Sequence, residues 1–427
     1  MVPHLKTALN GPLLELEKTF LDQQTRIEQW LRSQWQQHIP PFYASTDLRN
    51  AGFKLAPVDL NLFPGGFNNL NPAFLPLCIQ AAQAAVERIC PEASKLLLIP
   101  ENHTRNQFYL QNVAALVRAL NGAGLDVRLG TLLPEITEPT TLELANGDTL
   151  RLEPLVRGRY KLGVDDFESC AILLNNDLSG GIPAILENLN EQVVIPPLHA
   201  GWHVRRKSIH FAAYDRVAKE FSDLLGIDPW LINPYFGVCN QINFQERTGE
   251  ECLAAQVDGL LARIRSKYQE YGVTDDPYVV VKADAGTYGM GVMTVRDASE
   301  VIGLNRRQRN KMAVVKEGLQ VSEVLIQEGV PTLETVNGGV AEPVVYMMDR
   351  YVVGGFYRVH TARGKDENLN APGMHFEPLA FDTCCNIPDC QKAPDDAPNR
   401  FYAYGVVARL ALLASSIELE ETAPENT

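Results

Sequence analysis

Apolar residues recur along this chain with two periods, and the switches between them lay out its elements. Leu13, Leu16, Phe20, Ile27 and Leu31 fall near one face of a helix, so 13–38 reads as one long amphipathic helix packed on the body of the protein. A dimerisation helix is the alternative, which leaves a homo-oligomer open. Strands are predicted at 53–60, 96–99 and 125–129, with helices at 72–88 and 105–120, the second closed by Asn121-Gly122. Asn146-Gly147 between TLEL and DTLRL is a hairpin signal. Strands at 171–174 and 192–195 and a helix at 208–225 follow. Alternation of this kind implies an open α/β lobe with a largely parallel sheet over residues 1–227.

From DPWLIN (228–233) onward the pattern changes to α+β, and 228–427 reads as a second lobe. A helix over 249–272 leads into PYVVVKADAGTYGMGV (277–292), then strands at 292–295 and 324–330. Strands over 343–348 and 350–361 follow, with Asp349 at a tight turn between them. A closing helix over 401–415 precedes 418–427, which reads as a frayed acidic tail. The 277–292 stretch carries chemistry. A buried-strand run ends in Lys282 and passes into Gly286, Gly289 and Gly291. Glycine lacks the Cβ that would keep backbone N–H groups from phosphate oxygens, and lysine adds a point charge for the same anion. No GK[ST] follows, so this is not a Walker A loop, and GTYGMG is spaced unlike the dinucleotide fingerprint. A β-hairpin lid over phosphates is the functional reading, an ordinary glycine-rich hairpin the bland one. The basic run Arg306, Arg307, Arg309 and Lys311 reads as a solvated face rather than a phosphate flap.

Composition narrows the partners. The 427 residues are 45% hydrophobic and 21% charged with a mean hydropathy of −0.12, as in a soluble enzyme. A net charge of −14 argues against nucleic acid or an anionic membrane, though not against a nucleotide held at a local positive site. No apolar run approaches a membrane span or a signal-peptide core. The eight cysteines form no CxxC, so reduced thiols in the cytoplasm are expected. Cys384, Cys385 and Cys390 make an awkward metal site, having two adjacent ligands and no histidine nearby.

Four polar clusters follow predicted strand ends in the first lobe. They hold Asp59, Asn61, Asn68 and Asn69; Glu101, His103 and Arg105; Asn176, Asp177 and Ser179; and His199, His203, Arg205 and Arg206. Ligands of open α/β sheets bind beyond the carboxyl ends of strands, so the clusters are expected to converge on a small polar substrate. The arginines suit a carboxylate. The histidines lack metal-ligand spacing.

In the second lobe VVVKADAGTYGMGV resembles the lysine strand and phosphate lid of ATP-grasp ligases, and VLIQEGV their adenine-holding hinge. YRVHTARGKDENLNAPG resembles the arginine-to-asparagine stretch of bacterial glutathione synthetases. The whole chain, with VDLNLFPGGFNNL, IPENHTRN, NNDLSGGIP and HAGWHVRRKSIHF, resembles a bacterial glutamate–cysteine ligase family over nearly its full length. The resemblance implies an ATP-grasp-like nucleotide-binding lobe and substrates glutamate, cysteine and ATP. It implies that Lys282 and the backbone of 286–291 hold phosphates, that Gln327 and Glu328 lie at adenine and ribose, and that Arg358 stabilises the transferring phosphoryl group. Among Glu342, Asp349, Glu367, Asn368 and Asn370 it implies ligands for Mg²⁺, whose preference is for hard oxygen donors. An ATP-grasp lysine upstream of the glycine loop has no counterpart between Lys219 and Lys267. Arg247 stands as its substitute, though arginine and lysine are not interchangeable. A different ATP-grasp peptide ligase such as glutathione synthetase, or a nucleotide-binding sensor without turnover, are the alternatives.

Overall fold

In YASTDLRN the residues Ala44, Thr46 and Leu48 alternate with Ser45, Asp47 and Arg49, the two-residue period of a strand. In the computed structural model, which describes residues 12–286, 290–314, 316–318, 320–379 and 400–424, this segment is the strand Tyr43–Asn50 of a central sheet. Gly289, Cys384, Cys385 and Cys390 lie outside the described residues. Tyr43–Asn50 pairs antiparallel with Leu55–Asn61 and with Gly339–Met348, and the sheet continues through Tyr351–His360 to His375–Pro378. Segments from both sides of residue 227 therefore share one sheet.

One face of this sheet packs on the helix Arg400–Glu421, whose Tyr402 to Ala414 are buried, apart from Gly405 and Arg409 all apolar, as suits an interior helix. It is long and apolar enough to cross a membrane, yet 89% of that stretch is buried inside the fold. The helix also packs along Lys207–Leu225. On the sheet's other face Val344, Tyr346 and Phe356 join a second core with the helices Leu75–Ile89 and Gln107–Gly122. Glu342 and Arg358, opposite each other on neighbouring strands, carry the same face onward as a polar surface.

The α/β lobe has the expected form. Val193–Ile195, Ala171–Asn175, Lys95–Pro100, Asp126–Thr131 and Thr149–Arg157 run parallel in that order. The Asn146-Gly147 hairpin joins Thr140–Glu143 antiparallel to Thr149–Arg157, with Gly147 at φ 87°. A third sheet orders Phe236–Asn240, Glu323–Glu328, Val279–Ala283 and Val292–Val295, all antiparallel, over the helix Glu250–Glu270. The protein is thus α/β in its first part and α+β in its second.

Four expectations need correction. The helix over 13–38 is two helices, Pro12–Asp22 and Gln24–Gln37, broken where Gln23 leaves helical geometry and its amide donates to Leu225 O at 3.2 Å. The strand Phe236–Asn240 and the strand Tyr43–Asn50 are additional to those predicted. Residues 418–421 are helical rather than frayed, because Glu418 is buried against Arg205 and His210. The thiols are not all reduced: Cys90, at the end of Leu75–Ile89, is joined to Cys170, just before Ala171–Asn175. Among the described residues Cys78, Cys239 and Cys252 remain free.

Candidate active site

The central sheet and the third sheet face each other across a cleft with about 840 Å³ of empty volume. Strand period decides what each contributes. Val279 and Val281 turn into the core, so Val280 and Lys282 turn to the cleft, as do Gln327 opposite Val280 and Thr294 on the far strand. From the central sheet come Asp47, Arg49, Asp59, Glu342 and Arg358. Asp366, Glu367, Asn368 and Asn370 come from the loop after Tyr351–His360, and Lys207 from the first turn of Lys207–Leu225.

Lys282 spans the gap. Its Nζ donates to Val58 O and to Gln327 Oε1, both at 2.7 Å. Burial pushes its pKa down to about 8, against the pull of Asp59. Arg358 Nη1 lies 2.8 Å from Asp47 Oδ2 and 2.6 Å from Glu342 Oε1, and Arg49 Nε lies 2.6 Å from Glu342 Oε2. Lys207 Nζ meets Asp59 Oδ1 at 2.7 Å. Burial works to raise the Glu342 carboxyl, but Arg49 and Arg358 outweigh it and hold the group below the usual range. Asp59 is held low in the same way by Lys207 and Lys282. In the cleft two donors have no partner among the described residues: Arg358 Nε and Gln327 Nε2 are buried and unmet. Buried donors are nearly always paired, so these mark where an acceptor belongs.

The glycine segment closes as a hairpin. Lys282 lies opposite Val292, Ala283 N donates to Gly291 O, and Gly286 and Gly291 sit at φ 110° and 61°, values that glycine adopts without a Cβ clash.

Beyond Gly286 the space continues. An inner chamber of about 690 Å³ of empty volume borders Gly286, Trp202, His203, Arg206 and Glu323. An outer chamber of about 1810 Å³ lies past the carboxyl ends of the parallel strands, at Glu101, His103, Thr131, Asn176 and Asp177. Ser179 and Lys316 border both chambers. Burial lowers the pKa of His203, whose Nδ1 is also unpartnered among the described residues.

The residues singled out in the sequence divide accordingly. Lys282, Gly286, Gln327, Glu328, Glu342, Arg358, Glu367, Asn368, Asn370 and Asp59 line the cleft. Glu101, His103, Asn176, Asp177, Ser179, His203 and Arg206 line the chambers. Others are brought elsewhere. Asp349 is buried in the Met348–Tyr351 turn against Arg88 at 3.0 Å; seven residues of strand at ~3.3 Å each separate it from Glu342, too far to share a metal. Arg247 contacts Glu250 at 3.0 Å and Ile302 O at 2.8 Å and does not border the cleft. Arg205 is buried in a bidentate pair with Glu418, and His199 Nε2 contacts Leu419 O at 3.1 Å, so both hold the last helix. Arg105 is exposed and borders neither chamber. Asn61 closes a turn on Phe63, and Asn68 contacts Asn69. Glu328 has both oxygens engaged, by Lys54 Nζ at 2.7 Å, Trp230 Nε1 at 3.0 Å and Tyr235 N at 2.9 Å. Sequence reading missed Asp47 and Arg49, while Lys207 closes the fourth polar cluster without having been singled out. Arg306, Arg307 and Arg309 sit on a short exposed helix capped by Asn305, away from the cleft.

Opposed sheets with buried lysine and arginine, a glycine hairpin and adjoining polar chambers make a cleft suited to small polar molecules, as in an enzyme. The chain belongs to the glutamate-cysteine ligase (GshA) family, whose model it matches over residues 17–419. It is an ATP-using ligase. A crystal structure provisionally described as a gamma-glutamylcysteine synthetase from Methylobacillus flagellatus KT is 69% identical, covers 99% of both chains and superimposes with a TM-score of 0.91. A glutathione synthetase-like effector (GSS30) from Globodera pallida is 10% identical, with 84% of this chain and 77% of that one covered at a TM-score of 0.39. D-alanyl-alanine synthetase A from Vibrio cholerae is 12% identical, with 74% and 81% covered at 0.33. No curated protein matches.

Proposed function

We propose that this chain joins the γ-carboxylate of glutamate to the amine of cysteine, with ATP between the two opposed sheets and the amino acids in the adjoining chambers. The cleft itself carries the reading: Lys282 and Gln327 on one wall and Arg358 on the other present cationic and unmet donors to a buried space. A γ-carboxylate oxygen attacks the γ-phosphorus of ATP, the bond to ADP breaks, and an acyl phosphate forms. The cysteine amine attacks the acyl carbon, phosphate leaves, and the amine gives up its proton. Both reactants of the first step are anions, so Lys282, Arg358 and Arg49 reduce their repulsion and stabilise the charge spread over the transferring group. The hairpin carrying Gly286 and Gly291 excludes water that would hydrolyse the acyl phosphate. Lys207, rather than Arg247, is the upstream lysine that borders the nucleotide space. Gln327 and the backbone of its strand face the base.

Asp47, Asp59 and Glu342 in the same cleft are paired with Arg358, Arg49 and Lys207, and a divalent cation beside them would offset the further negative charge that phosphates bring. That donor set, with Glu367, Asn368 and Asn370, is all oxygen and fits Mg²⁺, which keeps several waters and takes one or two carboxylates together with phosphates. Among the described residues no three His, Cys, Asp or Glu side chains form a metal cage on their own, so the nucleotide would have to supply the remaining ligands. Bound Mg²⁺ supplies charge neutralisation at the phosphate oxygens. In this reading both parts of the chain build both sides: Asp47, Arg49, Asp59 and Lys207 of 1–227 join 228–427 at the nucleotide, and Lys316 and Glu323 of 228–427 reach the amino-acid chambers, in a cytoplasmic setting where ATP and reduced cysteine are available. ADP release measured with each amino-acid pair tests it. Stimulation by glutamate plus cysteine is expected; stimulation only by γ-glutamylcysteine plus glycine would make this a glutathione synthetase, and none by any pair a sensor.

A further inference from the structure

Where the two chambers meet, the ammonium of Lys316 is clasped by two carboxylates. Its Nζ lies 3.2 and 3.3 Å from the oxygens of Glu101 and 2.9 and 3.0 Å from those of Asp177. The side chains of Glu101 and Asp177 are 11% and 7% exposed. Each follows a strand of the parallel sheet, Lys95–Pro100 and Ala171–Asn175, the position at which open α/β sheets take their ligands. Glu101 Oε1 accepts from Asp177 N–H at 3.0 Å, and Asp177 Oδ1 accepts from Ser179 N–H at 3.0 Å and from the Ser179 hydroxyl, so both carboxylates are fixed in place. Lys316 arrives from the other side of the opening, near the third sheet, and its side chain partitions the outer chamber from the inner one.

We propose that Glu101 and Asp177 are the seat of the α-ammonium of glutamate, and that Lys316 occupies this seat in the ligand-free enzyme and is displaced when the substrate enters. A primary ammonium presents the same three donors whether it ends a lysine or an amino acid, so the seat fits either. This rests on the ligase reading above and names the amino acid that the site holds. Two carboxylates stabilise the charged form of an amine. The cysteine amine must shed its proton to attack, whereas the α-amine of glutamate takes no part in the chemistry and stays charged. Glutamate is therefore the substrate whose amine belongs here. The inner chamber supplies a second, independent feature that asks for a ligand. Trp202 is 3% exposed and lines it, and its indole N–H, which can only donate, has no partner among the described residues. Arg206 borders the same space, its Nε held by Glu323 Oε2 at 2.8 Å and its Nη1 by Val204 O and Arg205 O. Together they suit the α-carboxylate, leaving the γ-carboxylate to extend past Gly286 to the cleft, which that residue also borders.

The test compares glutamate with glutarate, which has the two carboxylates and no amine, in ADP release by the full-length enzyme. Asp177→Asn and Glu101→Gln are each expected to lower the ratio of kcat/KM for glutamate over glutarate by roughly 10-fold or more, the worth of a charged hydrogen bond. Lys316→Met removes the competing ammonium, so it is expected to lower the KM for glutamate and leave the KM for ATP unchanged. An unchanged ratio in both carboxylate variants, or a raised glutamate KM in Lys316→Met, overturns the seat. Thermal melts of the three variants show that a change in the ratio is not a loss of fold. Wild-type enzyme that responds to glutamate while the variants keep its selectivity overturns the seat alone; a wild type silent toward glutamate overturns the ligase reading beneath it.

Discussion

Lys282 is the cation whose state depends most on what fills the cleft. Burial lowers its pKa to about 8, so near that pH much of it is neutral, and a phosphate beside it favours the charged form. ATP binding is therefore expected to take up protons at pH 8 and far fewer at pH 6.5, where the lysine is already charged. Calorimetry in buffers of different ionisation enthalpy measures this; a binding heat independent of buffer at pH 8 would count against Lys282 as a phosphate ligand. Lys282→Met is expected to remove both the proton uptake and nearly all turnover. Arg358→Lys keeps a charge but loses the planar fork that meets Asp47 and Glu342 together, so kcat is expected to fall by ~100-fold or more with little change in the KM for ATP. Lys282, Gln327 and Arg358 were legible because each lies in a short motif. Arg49, Asp47 and Lys207 were not, since their link to the cleft runs through strand pairing and a helix start. The signal for Asp47 and Arg49 was nevertheless present in the alternation of YASTDLRN. Asp349 and Arg247 show the converse: nearness in sequence to a site residue is nearness along a strand or helix, and here each is spent on an ion pair.

At the scale of elements, the last helix is held from its flank. Arg205 meets Glu418 through two hydrogen bonds at 2.7 and 2.9 Å, and His210 Nδ1 is 2.9 Å from the same carboxylate. Burial works to raise the Glu418 pKa, yet Arg205 and His210 hold it at about 2, below its ordinary 4.5. A depressed carboxylate contributes stability above its unfolded pKa and loses it as pH falls through the folded value, so this contribution is whole above about pH 4.5 and gone below about pH 2. Glu418→Ala leaves Arg205 buried and unpaired and is expected to cost about 3–5 kcal/mol at neutral pH in denaturant melts, with a flatter pH dependence between 4.5 and 2. An Arg205 variant that melts like wild type but loses glutamate affinity would return that arginine to the substrate site. Nothing local signals this role, because an acidic ELEE tail and a buried anchor look alike until the helix beside it is in place. In the hairpin, Gly286 at φ 110° lies outside what an alanine adopts without strain. Gly286→Ala is expected to slow turnover while leaving the global melting transition nearly unchanged, since the strain is local; a normal kcat would mean that the hairpin does not gate the reaction.

At the scale of the whole molecule, the central sheet is what makes one enzyme of two lobes. Its first two strands come from the α/β half and carry Asp47, Arg49 and Asp59, while its remaining strands carry Glu342 and Arg358. The buried pair of Lys54 and Glu328 adds another tie, between the loop joining the first two strands and the third sheet. The alternation of strand and helix made the parallel sheet readable, because each such unit is local. The shared sheet was not readable, since its pairings join Tyr43–Asn50 to Gly339–Met348 across almost 300 residues and no local pattern encodes a partner so distant. The convergence of the polar clusters is partial: Glu101, His103, Asn176, Asp177, Ser179, His203 and Arg206, after parallel strands, reach the chambers, whereas Arg105, His199 and Arg205 from the same clusters do not, and Asn61 closes a local turn. The central step is transfer of the ATP γ-phosphoryl group to glutamate in the cleft that this sheet walls. The most direct measurement supplies glutamate labelled with ¹⁸O in its γ-carboxylate together with cysteine, ATP and Mg²⁺, and reads peptide and phosphate by mass spectrometry. γ-Glutamylcysteine and one ¹⁸O in each phosphate released are expected; unlabelled phosphate, or ADP formed without the peptide, would contradict that step.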